Sequence, residues 1–243
     1  MALEVVVHHT CSSSWKLYRD AKARGLPVRF VPASLPDLRR AVLGIPAVFA
    51  DGRLVLYDPV TADDLEAFLK GAARRDLPVD EAVQNFVTGV VYNQALLSLA
   101  VLHKSFKPIL DDREAVEVLT RARFYGSPEV AKSAYEEISR RDAQLFAENR
   151  DKMLKALAYG LVRELYWLGI SPSKIGVEHV SMWIMAKATV GRLGLQYPKP
   201  HVDRDVAEAV AAILRERGDH YLAKIAEEQS AISSDRDFLS LFG

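Results

Sequence analysis

Cys11 is the only cysteine in this 243-residue chain, and its neighbours give it a chemistry. It follows the apolar run Leu3-Glu4-Val5-Val6-Val7-His8-His9-Thr10 and opens Cys11-Ser12-Ser13-Ser14-Trp15-Lys16-Leu17-Tyr18. A strand feeding directly into a helix puts the sulfur at the helix N-terminus. There, unsatisfied backbone N–H groups and the helix macrodipole favour negative charge. Such a setting lowers a thiol's pKa and makes it nucleophilic. The expected thiolate takes hydrogen bonds from the first-turn N–H groups and from Ser14. A lone cysteine excludes an internal disulfide, so turnover requires an external thiol to resolve a mixed disulfide. The competing reading of Cys11 is a small buried hydrophobe.

Other polar residues offer themselves as neighbours of the sulfur. His8 and His9 point to opposite faces if the strand is regular, so one of them can approach Cys11. A metal site built on His8, His9 and Cys11 lacks a second ligand pair at recognisable spacing, and no metal is expected. Trp15, Tyr92 and Asn93 are candidates for a cleft facing Cys11. Tyr92, Asn93, Gln94 and His103 fit better as buried helix-packing polars that each hold a hydrogen-bond partner. Thr61, before another helix, could hold an anion at that helix's N-terminus. No Walker-type loop, Gly-x-Gly-x-x-Gly or Cys-x-x-Cys motif occurs.

The elements that must position Cys11 lie in the first quarter of the chain. Residues 3–9 predict a buried strand and 12–24 a helix ended by Gly25. Residues 28–31 predict a second strand and 35–42 a short helix. Residues 47–50 and 53–57 predict two strands joined by Asp51-Gly52, a strong hairpin signal. Thr61 predicts an N-cap for a helix to about residue 70, with Asp64 completing a capping box. The order β-α-β-α-β-β-α implies a parallel first pair and a mixed sheet.

From residue 80 onward helical periodicity dominates, over 81–106, 112–124, 128–168, 173–193, 205–217 and 219–232. Ser127-Pro128 and Ser171-Pro172 have the form of helix starts, and Tyr197-Pro198-Lys199-Pro200 that of a loop. The stretch 128–168 is expected to break near Asn149. The expected domains are an α/β domain over 1–75 and an all-helical domain over 79–243. The closing Phe238-Leu239-Ser240-Leu241-Phe242 is too apolar for a loose tail. It is expected to dock on the helical domain or on a partner subunit, which allows a homodimer.

Composition narrows the function classes. The net charge is zero, and residues 1–72 carry nine Lys/Arg against eight Asp/Glu, so no nucleic-acid footprint is present. Residues 83–103 are apolar but interrupted by Gln84, Asn85, Thr88, Asn93, Gln94 and Ser98, and read as a buried helix rather than a membrane span. Met1-Ala2-Leu3 runs straight into the first strand, so no signal peptide is expected, and the expected location is cytoplasmic. Three Asn and five Gln form a bias compatible with a thermophile.

The strand–Cys11-Ser12-Ser13-Ser14–helix pattern, with Gly44-Ile45-Pro46-Ala47-Val48-Phe49 behind it, resembles the thioredoxin superfamily. The length of residues 1–72 is similar to glutaredoxins and to the N-terminal domain of glutathione transferases. The helical remainder resembles the second domain of those transferases. The resemblance implies a cis Ile45–Pro46 bond beside the cysteine, with the Ile45 backbone presented to an extended thiol substrate. It implies Cys11, Ser14 and Pro46 as catalytic residues, with Thr10, Ile45 and Thr61 binding substrate. No cofactor is required, and glutathione or another low-molecular-weight thiol is the implied co-substrate. The partner is then a thiol or disulfide, on a protein or a small molecule.

Two departures from that pattern matter. Ser14 stands where a second cysteine would allow a dithiol cycle. Asp58-Pro59-Val60-Thr61 stands where the transferases hold a glutamyl group, and Pro59 removes a backbone donor there. A second function class therefore stays open: a non-catalytic thioredoxin-fold binding or scaffold protein that acts through its helical domain.

Overall fold

Valine-rich Leu3–Val7 (β1) forms an interior strand, which explains its nearly continuous apolar sequence. A computed structural model describes residues 3–34, 44–73, 75–190 and 193–243. The helix expected over 35–42 lies outside the described residues. Ser12–Ala23 (α1) follows β1, with Gly25 beyond its C-terminus at φ +63°. Val28–Pro32 (β2) pairs parallel to β1, register Leu3 to Val28 and Val7 to Pro32. Ala47–Ala50 (β3) pairs antiparallel to β1, and Arg53–Tyr57 (β4) antiparallel to β3. The sheet order is β2-β1-β3-β4. Asp51 and Gly52 both have positive φ, at 47° and 78°, as a tight hairpin turn demands.

Ala62–Leu69 (α2) closes this part. Thr61 Oγ1 accepts from the Asp64 N–H, and the Asp64 carboxylate accepts from the Thr61 N–H, which completes the capping box. A small mixed four-stranded sheet is thus followed by a long, mostly helical region. That layout is compatible with a thioredoxin-like part followed by a helical part.

The chain divides into two compact units, neither of them one continuous stretch. The first comprises Met1–Gly89, Arg113–Glu137 and Gln229–Gly243. Its core sets Leu3, Val5, Val7, Val48 and Leu56 of the sheet against Leu17 and Ala21 of α1 and Leu65 of α2. Phe238 belongs to the same core and is fully buried, its ring 5.3 Å from that of Tyr18. The apolar tail thus docks on the sheet-bearing unit rather than on the helical domain. Burying one Phe side chain contributes about 1.5–3 kcal/mol. The polar residues beside it give the tail further partners on α1: Trp15 Nε1 donates to Asp235 Oδ2 (2.9 Å) and the Tyr18 hydroxyl to Asp237 Oδ2 (2.8 Å).

The second unit comprises Val90–Asp112 and Ile138–Glu228. The helix expected over 81–106 is two helices, Val79–Tyr92 (α3) and Gln94–His103 (α4), bent by 103° at Asn93. Asn93 Oδ1 accepts from the N–H groups of Ala95 and Leu96, so its side chain starts the second helix and supports the bend. Among the described residues no single helix is long and apolar enough to cross a membrane; α3 and α4 meet that length and composition only as a bent pair.

Lys107–Leu110 (α5), Arg113–Leu119 (α6) and Ala122–Tyr125 (α7) are short. Pro128–Leu168 (α8) runs unbroken for 41 residues. The break expected near Asn149 does not occur, because Asn149 Nδ2 donates to the Leu145 carbonyl within the same helix. Val177–Thr189 (α9) follows. Arg204–Ser234 (α10) also runs through its expected break at Gly218.

Candidate functional site

β1 ends at Val7, and residues 8–10 turn before α1 begins. The Cys11 N–H closes that turn on the His8 carbonyl at 3.0 Å. Cys11 is then the N-cap of α1, extended at φ −91°, ψ 114°. Its side chain makes no capping hydrogen bond. The thiol is instead aimed at the Ile45 carbonyl, with Sγ 3.5 Å from the oxygen. The Ile45–Pro46 peptide bond is cis. Cys11 is half-buried, so the sulfur sits between the helix terminus and the loop before β3.

Ser14 is fully buried, and its hydroxyl accepts from the His8 N–H at 3.3 Å. It therefore fastens the end of β1 to the first turn of α1. Ser13 reaches the other way: its hydroxyl donates to Asp58 Oδ2 at 3.0 Å. The Asp58 N–H in turn donates to the Pro46 carbonyl at 2.9 Å, and the Asp58–Pro59 bond is also cis. Asp58, which sequence reasoning read only as a departure from a family pattern, thus connects the Cys11 turn to the cis-Pro46 loop. No sequence signal pointed to this, since Asp58 lies 45 positions from Ser13.

The histidines do not lie on opposite faces, because the strand has ended before them. Their rings stack at 4.4 Å, and His9 meets Phe242 edge-on at 5.5 Å. The Thr10 N–H donates to His8 Nδ1 (3.3 Å), which makes that nitrogen an acceptor and assigns the ring proton to Nε2. The Thr10 hydroxyl lies 2.9 Å from the same nitrogen. Burial, and then the neighbouring His9, hold the His8 pKa below its ordinary value of 6.5. His8 is accordingly a neutral, turn-bound ring.

Of the expected site residues, His8, Thr10, Cys11, Ser14, Ile45 and Pro46 are gathered around this turn. Trp15 is committed to Asp235. The Thr61 hydroxyl is committed to capping α2, donating to Asp64 and accepting from its N–H. Tyr92 and Asn93 belong to the other compact unit. There Tyr92 is 52% exposed, and Asn93 serves as a helix cap. Among the described residues no group of three His, Cys, Asp or Glu side chains is arranged to hold a metal ion.

Comparison with protein-family models, curated proteins and solved structures finds no match for this chain. What the site can do therefore rests on its own geometry. That geometry offers a thiol at a helix N-terminus, a carbonyl across from it and a backbone loop turned by a cis proline. The residue that sequence reasoning missed altogether is Gln229. It is 3% exposed, and its Nε2 donates to the Thr10 carbonyl at 2.9 Å.

Proposed function

We propose that this chain is a thioredoxin-like monothiol oxidoreductase, or a glutathione-transferase-like protein, with Cys11 as its nucleophile. The observation that carries this reading is the placement of Cys11 Sγ at the N-cap of α1, 3.5 Å from the carbonyl that precedes cis-Pro46. A thiolate at that position gains from the α1 dipole, which must outweigh the lost S–H donation to the Ile45 carbonyl, and a substrate strand can pair with the Ile45 backbone. In the oxidoreductase cycle the Cys11 thiolate attacks one sulfur of a disulfide. The S–S bond breaks, one thiolate leaves, and a mixed disulfide forms on Cys11. Glutathione, as the low-molecular-weight thiol, then attacks the Cys11 sulfur of the mixed disulfide. The second half of the substrate leaves as a thiolate, and a Cys11–glutathione disulfide forms. A second glutathione attacks the glutathione sulfur of that bond, forming glutathione disulfide and releasing the Cys11 thiolate. Ser14 in place of a second cysteine makes the external thiol the only reductant. Ser13 and Asp58 hold the Cys11 turn against the Pro46 loop throughout the cycle.

Alkylation of Cys11 by iodoacetamide, followed against pH, tests this reading. The expected rate profile has a midpoint well below the value of about 8.5 for an ordinary thiol. Reduction of hydroxyethyl disulfide by glutathione should depend on the protein and vanish in Cys11→Ser. A midpoint near 8.5, no reaction in the native protein, or full activity in Cys11→Ser overturns it.

The scaffold reading has one observation in its favour. In the helical unit Trp167, Leu168, Met182 and Leu195 are large apolar side chains that stay more than half exposed, at 55, 67, 72 and 75%. Capture of one partner by both wild type and Cys11→Ser, lost when Trp167 and Leu168 become polar, would favour it.

A further inference from the structure

In the sheet-bearing unit a cavity of about 230 Å³ opens beside the end of β4. Leu56, Val118 and Leu119 supply its apolar wall, and Tyr57, Asp58, Asn85, Thr88 and Arg121 its polar one. Tyr57 is 5% exposed, and its buried hydroxyl has no hydrogen-bond partner among the described residues. A buried hydroxyl left without a partner costs about 1–3 kcal/mol, so native proteins seldom keep one idle. The second observation is Gly89, on the same cavity wall. A Cβ at Gly89 would come within 2.7 Å of Leu119 Cδ2 and 3.0 Å of the Tyr57 oxygen. A side chain here would push on Leu119 and on the phenol itself, so glycine lets α3 pack directly against two groups of the cavity wall. The volume is several times the roughly 30 Å³ of one liquid water, and apolar cavities of about 150 Å³ already accept benzene.

The charge on the wall decides the class of occupant. Arg121 is matched by Asp64, with Nη1 to Oδ1 at 2.8 Å and Nη2 to Oδ2 at 3.4 Å, and it also donates to the Pro59 carbonyl at 2.5 Å. Asp58 adds a carboxylate to the wall, which accepts from the Ser13 hydroxyl, so with Arg121 matched the wall favours no anionic ligand. Burial, and then the charge of Asp58, push the Tyr57 pKa well above 10, so its hydroxyl stays protonated and can donate.

The geometry points to a binding site in this cavity for a small uncharged molecule with an apolar body and one hydroxyl or carbonyl group, which hydrogen-bonds the Tyr57 hydroxyl. The site shares Asp58 with the Cys11 turn but does not use the thiol. Phenol is the probe, and toluene, which lacks the hydroxyl, is its control. In the full-length protein phenol is expected to bind saturably by calorimetry, and about tenfold more tightly than toluene. Tyr57→Phe is nearly isosteric and should keep the fold while losing that tenfold preference. Gly89→Ala should abolish binding of both compounds. If Gly89→Ala does not fold, Tyr57→Phe decides alone. No saturable phenol binding at millimolar concentration, which would leave water as the occupant, overturns the proposal. So does a Tyr57→Phe variant that still prefers phenol tenfold.

Discussion

The side-chain amide of Gln229 donates to the main-chain carbonyl of Thr10 across 219 positions of sequence, at 2.9 Å. Thr10 immediately precedes Cys11, so a residue near the end of the chain holds the turn that sets the sulfur. Gln229 is nearly fully buried, and water cannot readily replace it. Gln229→Leu should cost about 1–3 kcal/mol, the range for leaving a buried acceptor unsatisfied. Urea denaturation measures that loss. The sharper readout is the alkylation rate of Cys11 under native conditions, which should change in Gln229→Leu while circular dichroism stays as in wild type. An unchanged rate would show that Gln229 stabilises the unit without positioning the cysteine.

The contacts of Asp235 and Asp237 with α1 predict a pH dependence of stability. Burial opposes charge on Asp235, but the N–H groups of Phe238 and of the Trp15 indole both donate to its carboxylate. The net result holds its pKa below the ordinary 3.8. Asp237 is lowered as well, first by the Lys22 ammonium and then by the Tyr18 hydroxyl. Carboxylates with depressed folded pKa values bind protons more weakly in the native state than in the unfolded chain. Their contribution is complete above about 3.8 and is lost as the pH falls through the lower folded values. The urea midpoint should therefore hold steady above about pH 4 and drop as the pH falls below about 3.8, and drop less in Asp235→Asn/Asp237→Asn than in wild type. Equal acid sensitivity in both proteins would remove these two residues as its source.

Local signals made the sheet-bearing part legible. The valine run of β1, the Asp51-Gly52 turn and the Thr61/Asp64 capping box each act over a few residues, and each forms as its sequence predicts. The candidate site was legible only in part. Cys11, Ile45 and Pro46 could be brought together by the family pattern. Asp58 and Gln229 could not, because their partners are set by tertiary packing rather than by neighbours in sequence. The return of Phe238 to the α/β core was hidden for the same reason: an apolar tail announces burial but not a destination. Helix breaks were misjudged in both directions. Polar and glycine residues inside helices have two uses, one that ends a helix and one that serves a contact, and sequence does not separate them.

Asn93 is the case where such a residue ends a helix. Its Oδ1 accepts from two N–H groups, at 3.1 and 3.0 Å, and it is 8% exposed. Asn93→Ala removes both acceptor contacts and should destabilise the protein by about 1 kcal/mol, with an upper range near 2. Asn93→Asp and Asn93→Ser keep an acceptor at the cap and should recover most of the loss. Thermal unfolding of the three variants checks this. Equal losses in all three would point to packing at this position rather than to capping.

Gly218 is the opposite case. Glycine in a helix interior usually costs about 0.5–1 kcal/mol relative to alanine, so Gly218→Ala would ordinarily stabilise α10. Here a Cβ would lie 2.5 Å from Pro172 Cβ and 3.2 Å from its Cγ. The proline ring is rigid and cannot swing away as a long side chain could, and overpacking of this kind typically costs about 1–3 kcal/mol. The steric term outweighs the propensity gain, so Gly218→Ala should lower the unfolding temperature. Pairing it with Pro172→Gly supplies the control. That double variant relieves the contact, and in that background Gly218→Ala should become neutral or stabilising. Stabilisation by Gly218→Ala with Pro172 still present would mean that the close approach of helix and proline is not what keeps glycine at this position.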